Sequence, residues 1–327
     1  MKFLVTGGLG FIGSNFIEKL LKEYPNSKIK NVDAELLGSN KKNLKFMKNE
    51  IRYNYIKGNI KDFKLMKKLI RESDIIVNFA AESFVDRSIS NSKPFINSNI
   101  IGVYNILEII KNEKKKLIHI STDEVFGSLR SGSATEEYRF YPSSPYSSTK
   151  ASAELLVMSY NKTYDLDCSI TRCTNNYGPK QFPEKLIPKT IFLAQNNEKI
   201  PIYGSGKNIR DWIYVDDHCN AILKIIHNGK KGESYNISAN NEINNITIVK
   251  KILKIMDKSE DLIEFVEDRP GHDLRYSLDS NKIRKKLGWR EKTNFEDGIE
   301  KTVKWYLENN NWWRNLDNIL IKKPWKT

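Results

Sequence analysis

Tyr146-Ser147-Ser148-Thr149-Lys150 sets a phenol and an ammonium four residues apart, on one face of any helix that carries them. A cation close to a phenol favours the phenolate, which predicts a lowered Tyr146 pKa and a base usable near neutral pH. The pair is common, and a surface tyrosine and lysine on an ordinary helix have the same spacing. Residues 118–127 sharpen the reading. They run Ile-His-Ile-Ser-Thr-Asp-Glu-Val-Phe-Gly, an apolar strand that delivers Thr122, Asp123 and Glu124 at its carboxyl end. Open α/β sheets bind ligands there, and two adjacent carboxyl groups suit one acid and one base. Acidic residues after a strand also serve as caps and turns. Taken together with Tyr146 and Lys150, the chemical reading is the stronger.

Gly7-x-x-Gly10-x-x-Gly13 follows a short apolar run directly and opens a helical pattern. A tight turn, close backbone approach and exposed helix N–H groups predict a cradle for a pyrophosphate. Asp33 ends the next strand-like run. Its carboxylate would accept hydrogen bonds from a ribose diol and repel a 2′-phosphate, so NAD is expected rather than NADP.

Strand-like and helical runs alternate through the first half, the signature of a parallel sheet covered by helices. Strands are expected at residues 2–6, 28–33, 74–80, 117–122 and 167–174. Helices are expected at 14–24, 62–72, 95–113 and 146–164. From Asn176 onward Pro179, Pro183, Pro188 and Pro201 punctuate shorter elements, and 213–228 resumes a strand-to-helix pattern. The expected fold class is α/β, a Rossmann-type doubly wound parallel sheet with a smaller α/β substrate-binding domain. Residues 1–175 plus about 209–232 would form the first domain, and about 176–208 plus 233–327 the second.

With 327 residues the chain can bury a large core, and its longest apolar runs are too short to span a bilayer. Residues 2–8 already read as a strand entering a glycine turn, with no charged leader or cleavage site. Cys168, Cys173 and Cys219 show no metal-ligand spacing and read as reduced thiols of a cytoplasmic protein; no metal is expected. The net charge of +14 raises the question of nucleic acid. The lysines are spread over helix faces and turns, with no zinc finger or arginine-rich arm, so neither nucleic acid nor membrane is an expected partner.

Glycine spacing, Thr122-Asp123-Glu124 and Tyr146/Lys150 together make the chain resemble the dTDP-glucose 4,6-dehydratases, a branch of the extended short-chain dehydrogenase/reductases. Stretches 80–89, 171–188, 201–218 and 268–276 carry the likeness over nearly the whole length. The Thr-Asp-Glu triplet is its specific part. The resemblance implies that Tyr146 takes the sugar O4 proton during oxidation at C4, and that Thr122 hydrogen-bonds O4. Glu124 would take the C5 proton and Asp123 protonate the departing C6 hydroxyl, before hydride returns to C6. Lys150 would hold the nicotinamide ribose.

Beyond the glycines, Asp33, Tyr146 and Lys150, the resemblance implies NAD contacts from Phe11, Ile12, Asn59, Ile60, Ala80 and Ala81. It adds Ser83, Ser98 and Asn176. The sugar nucleotide would be held by Phe84, Thr122, Asn175, Lys185, Leu186 and Pro201. Tyr203, Arg210, Asn245, Arg269 and His272 complete that set. Phe84 stands in place of a usual histidine, Asn59 of an aspartate and Phe126 of a tyrosine. A homodimer is implied, through helices near 95–113 and 146–164. Three alternatives stay open: a UDP-glucose 4,6-dehydratase, a nucleotide-sugar 4-epimerase and a non-catalytic NAD-binding regulatory protein.

Overall fold

The structure is a computed structural model that describes residues 1–313 and 324–326. Its central feature is a seven-stranded sheet in the order β10-β6-β5-β4-β1-β2-β3, with every pairing parallel. In chain order its first strands are β1 (Lys2–Thr6), β2 (Lys28–Asp33), β3 (Tyr53–Lys57) and β4 (Ile75–Asn78). The others are β5 (Lys116–Thr122), β6 (Cys168–Cys173) and, much later in the chain, β10 (Ser234–Ile237). Strand order reverses between β1 and β4, and that switch point opens a crevice at the carboxyl ends of the strands. Phe3, Val5 and Val77 of the strands share one core with Phe16 and Leu20. Leu4 and Ile76, on the opposite face, share another with Ile106 and Val157. Period-two alternation therefore buries both faces, as a sheet covered on both sides requires.

Helices α1 (Phe11–Glu23), α2 (Phe63–Arg71) and α3 (Val85–Ser90) fall in the first half. The short α4 (Lys93–Phe95) passes through a π-helical turn at Ile96–Ile101 into α5 (Gly102–Glu113). One continuous helix over 95–113 was expected; the apolar periodicity persists while the hydrogen-bond register slips. Helix α1 starts at Phe11 rather than 14, because the backbone already turns helical after Gly10. Helix α6 (Pro145–Tyr164) starts with Pro145 at its first position, and its Ser144 and Ser147 side chains cap it reciprocally. A tightly fixed first turn is what Tyr146 and Lys150 need.

Two smaller sheets lie beyond. Strands β7 (Asn175–Tyr177), β9 (Ile209–Tyr214) and β11 (Glu242–Asn244) form one, and β8 (Ile200–Tyr203) with β12 (Ile263–Val266) the other. Helices α7 (Leu186–Gln195), α8 (Val215–Asn228), α9 (Asn245–Ile255) and α10 (Asn281–Leu287) accompany them. Helices α11 (Phe295–Glu308) and α12 (Asn310–Trp313) follow. Residues of α7, α9, α11 and α12 share a core built on Ile187, Ile191, Ile248, Ile299 and Trp313. Strand β10 edges the large sheet, so the returning segment expected at about 209–232 runs a few residues further, to Ile237.

Candidate active site

The glycine turn is built from contacts no side chain would tolerate. Gly7 has φ +69°, and a Cβ there would lie 2.7 Å from Ala80 N; one on Gly13 would lie 2.6 Å from Gly7 O. Gly8 N donates to Asn31 Oδ1 at 3.1 Å, and Leu9 N donates to Asp33 Oδ2 at 2.9 Å. The Glu35 amide and the Ser39 hydroxyl donate to Asp33 Oδ1, both at 2.8 Å. The Asp33 carboxylate is thus fixed before any ligand arrives. Gly10 gives α1 no side-chain cap, and no acidic residue stands in its first turn, so the helix N-terminus offers its donors to an anion. This is the arrangement a dinucleotide diphosphate fits.

Helix α12 braces this turn from far along the chain. Asn43 Nδ2 donates to Leu9 O at 2.8 Å, and Trp312 Nε1 donates to Asn43 Oδ1 at 2.7 Å. Nothing in the sequence pattern pointed to that brace.

All fifteen residues expected to touch NAD line one cleft along the carboxyl edge of the sheet. Thr122, Asp123, Glu124, Phe84, Asn175 and Lys185 line it too. A second cleft adjoins it, sharing Phe84, Glu124, Asn175, Asn176 and Lys185, and is lined by Leu186, Pro201, Tyr203, Arg210, Asn245, Arg269 and His272. The structure therefore gathers every expected residue into two connected hollows, with Glu124 where they meet and Asp123 beside it in the first.

Thr122 Oγ1 donates to Asp123 Oδ1 at 3.0 Å and accepts from Glu124 N at 3.3 Å, starting a short 3-10 turn. Asp123 Oδ2 is buried without a partner. Burial first, and then the neighbouring Glu124, push the Asp123 carboxyl well above the usual carboxylate range. Burial also raises Glu124, but Arg269, Lys185 and Arg210 pull it back. Two adjacent acids thus sit in different fields: burial favours the protonated form of Asp123 most, while Glu124 faces three cations that favour its ionised form.

Tyr146 departs from expectation. Burial lifts its phenol well above its ordinary value, Glu124 adds to the rise, and Thr122 opposes it. Lys150 does not rescue it, because its Nζ donates to the Ile120 carbonyl oxygen at 2.6 Å. The ammonium itself is lowered to about 8 by burial. A helical i, i+4 spacing put the two groups on one face; the sheet beneath claimed the lysine.

In the second cleft the cations are partly engaged. Lys185 Nζ donates to Ser83 O at 2.9 Å and lies 5.1 Å over the Phe84 ring. Arg210 donates to Asp273 O at 2.9 Å and stacks on Tyr276 at 4.3 Å. Arg269 pairs with Asp86 while its Nε is buried without a partner, and Asn245 Oδ1 is likewise unpaired. Burial and the adjacent Arg269 lower His272 to about 4.

Asp86 and Tyr276 were missed as individuals. Both lie inside the stretches that carried the resemblance, but only the fold shows Asp86 reaching Arg269 and Tyr203. Of the three departures, Phe84 lines both clefts and Asn59 lines the first. Phe126 lines neither cleft. It is 1% exposed, stacked 5.9 Å from Phe140, and the Arg172 guanidinium lies over its ring at 4.9 Å.

The family model for GDP-mannose 4,6 dehydratase matches residues 4–302. The low-salt glycan biosynthesis protein Agl12 of Haloferax volcanii is 46% identical over 94% of this chain and 99% of its own. The dTDP-glucose 4,6-dehydratase of Mycobacterium tuberculosis is 42% identical over 97% of this chain and 96% of its own. Among solved structures, the dTDP-glucose 4,6-dehydratase DesIV of Streptomyces venezuelae, with NAD and dTDP bound, superposes with a TM-score of 0.95. It is 41% identical, covering 97% of this chain and 100% of that one. A UDP-glucuronic acid 4-epimerase from Bacillus cereus also superposes, at TM-score 0.90, with 28% identity over 94% and 99% of the two chains.

Proposed function

The chain belongs to the GDP-mannose 4,6-dehydratase family, among its dTDP-glucose 4,6-dehydratases, and from that premise we propose that it dehydrates dTDP-glucose to the 4-keto-6-deoxy sugar nucleotide. The observation that carries this reading is the divided environment of two adjacent acids, Asp123 in the first cleft and Glu124 where the two clefts meet. An elimination of water needs a proton donor for the leaving hydroxyl and a base for the carbon acid. An epimerase needs neither.

NAD, when bound, supplies the oxidation at C4 and the reduction at C6. The α1 N-terminus with Gly10 and Gly13 would hold its diphosphate, and Asp33 its adenosine ribose. Lys150 would hold the nicotinamide ribose. Tyr146 takes the proton from O4, assisted by Thr122; bound NAD would supply the positive charge that favours the phenolate, since Lys150 is bonded to Ile120. The 4-ketone makes the C5 proton acidic. Glu124, held ionisable by Arg269, Lys185 and Arg210, accepts it. Asp123, held protonated by burial, delivers its proton to the C6 oxygen. Lys185, Arg210 and Arg269 retain unused donors for the substrate diphosphate, and the unpaired Arg269 Nε and Asn245 Oδ1 supply one donor and one acceptor.

The enzyme works as a homodimer. Tyr104 of α5, and Leu155 and Met158 of α6, are large apolar groups left 42%, 54% and 44% exposed on helices that pack together, and a second copy would cover them. Three buried free thiols suit the cytoplasm.

Separate incubation with dTDP-glucose and UDP-glucose tests the substrate, and deuterium at C4 tests the reaction. The label moves to C6 within one molecule, while heavy water labels C5. Retention of the label at C4 overturns the dehydratase reading.

A further inference from the structure

The far end of the chain returns to the second cleft. Residues 324–326 form a 3-10 turn lying against α3. Within it Trp325 is 7% exposed and sets its ring 4.8 Å from Tyr203 at an interplanar angle of 82°. His272 meets Tyr203 at 6.4 Å and 74°. The Tyr203 hydroxyl donates to Asp86 Oδ2 at 3.1 Å, and the other Asp86 oxygen holds Arg269. Lys326 Nζ pins the turn to Glu267 Oε2 at 2.7 Å. The Trp325 indole N–H is buried without an acceptor, so this ring is kept for its packing, at the expense of an unmet donor.

We propose that Trp325 is a positioning residue of the nucleotide-sugar site: it fixes the Tyr203 ring and, through Asp86, the Arg269 guanidinium. The inference rests on the dTDP-glucose reading of the second cleft. It separates the two sites, because Trp325 touches the substrate cleft and not the glycine turn. A ring pair of this geometry corresponds to about three- to tenfold in affinity.

The test uses the full chain. Trp325→Ala raises the KM for dTDP-glucose and the calorimetric Kd for dTDP by about three- to tenfold. The kcat stays within about twofold and NAD affinity does not move, although loss of a buried ring lowers the melting temperature. Trp325→Phe recovers most of the affinity. In a Tyr203→Ala background, Trp325→Ala has little further effect. Unchanged dTDP affinity in Trp325→Ala, or an equal loss with and without the Tyr203 ring, overturns the proposal. A wild-type protein that leaves dTDP-glucose intact yet binds dTDP with this dependence on Trp325 sinks the dehydratase reading alone.

Discussion

Thr122 donates its hydroxyl proton to Asp123 Oδ1 and leaves Asp123 Oδ2 buried and unpartnered, the atom that would carry the proton if Asp123 is the acid of the proposed reaction. An amide at that position cannot supply it. Asp123→Asn therefore lowers the rate of water loss by about 10²- to 10⁴-fold, while the first oxidation, read as NADH absorbance in a single turnover, stays near normal. Loss of that absorbance with normal elimination would reverse the assignment.

The same residue makes a stability prediction with a fixed sign. The Asp123 pKa is raised on folding, so the folded chain binds the proton more tightly than the unfolded one. Its contribution is whole below the unfolded pKa and lost as pH rises through the folded value. Asp123→Asn escapes that loss. Its melting temperature should exceed that of the wild type at pH 7, on the order of 2 °C, and the difference should shrink towards pH 4.

Lys150 is depressed from 10.5 to about 8, which penalises its charged form in the folded state. The penalty is full below pH 8 and disappears as pH rises to the unfolded value near 10.5. Replacing it with methionine relieves roughly 3 kcal/mol. Leaving the Ile120 oxygen unpaired costs about 1–2 kcal/mol. Denaturation of Lys150→Met at pH 7 should show a net gain of about 1–2 kcal/mol that turns into a net loss of about 1–2 kcal/mol towards pH 10.5, alongside a large loss of activity. A destabilised variant at pH 7 would show that the Ile120 bond outweighs burial.

Arg172 and Glu154 form an ion pair at 2.7 Å with side chains 1% and 0% exposed. Removing one member strands the other, so Glu154→Leu should lose about 3–5 kcal/mol in urea unfolding. The Phe126→Tyr change should leave KM alone, since Phe126 packs with Arg172 and outside both clefts.

Leu155→Glu on the exposed face of α6 should yield a monomer in light scattering at micromolar concentration, with the wild type dimeric. A wild-type monomer contradicts the dimer directly.

Strand and helix existence was legible where period and punctuation agreed, as at β2 and α6, whose sequence boundaries fall within about a residue of the structure. Strand β3 was not assigned. Tyr53 and Tyr55 carry the right residue types, but it is an edge strand with half-buried faces and gives a weak alternation. Helix α7 was obscured by Pro188, which lies in its first turn where a proline is tolerated. The site was legible as residue types at strand ends. Electrostatic pairings were not: Lys150 with Ile120, Asp86 with Arg269, and Asn43 with Trp312 all depend on which distant element arrives beside them.

That last pairing sets a schedule for biosynthesis. The glycine turn leaves the ribosome long before its brace is complete, because the brace through Asn43 ends at Trp312, which is 269 residues later than Asn43. At about 5–20 residues per second, the turn waits roughly 15–50 s for its last contact. A nascent chain can stack its first strands early, yet full affinity for dinucleotide should appear only once the far end of the chain has been made. Coenzyme binding thereby reports that synthesis has passed Trp312, and a chain stopped before it should be released with its glycine turn loosely held and open to proteases.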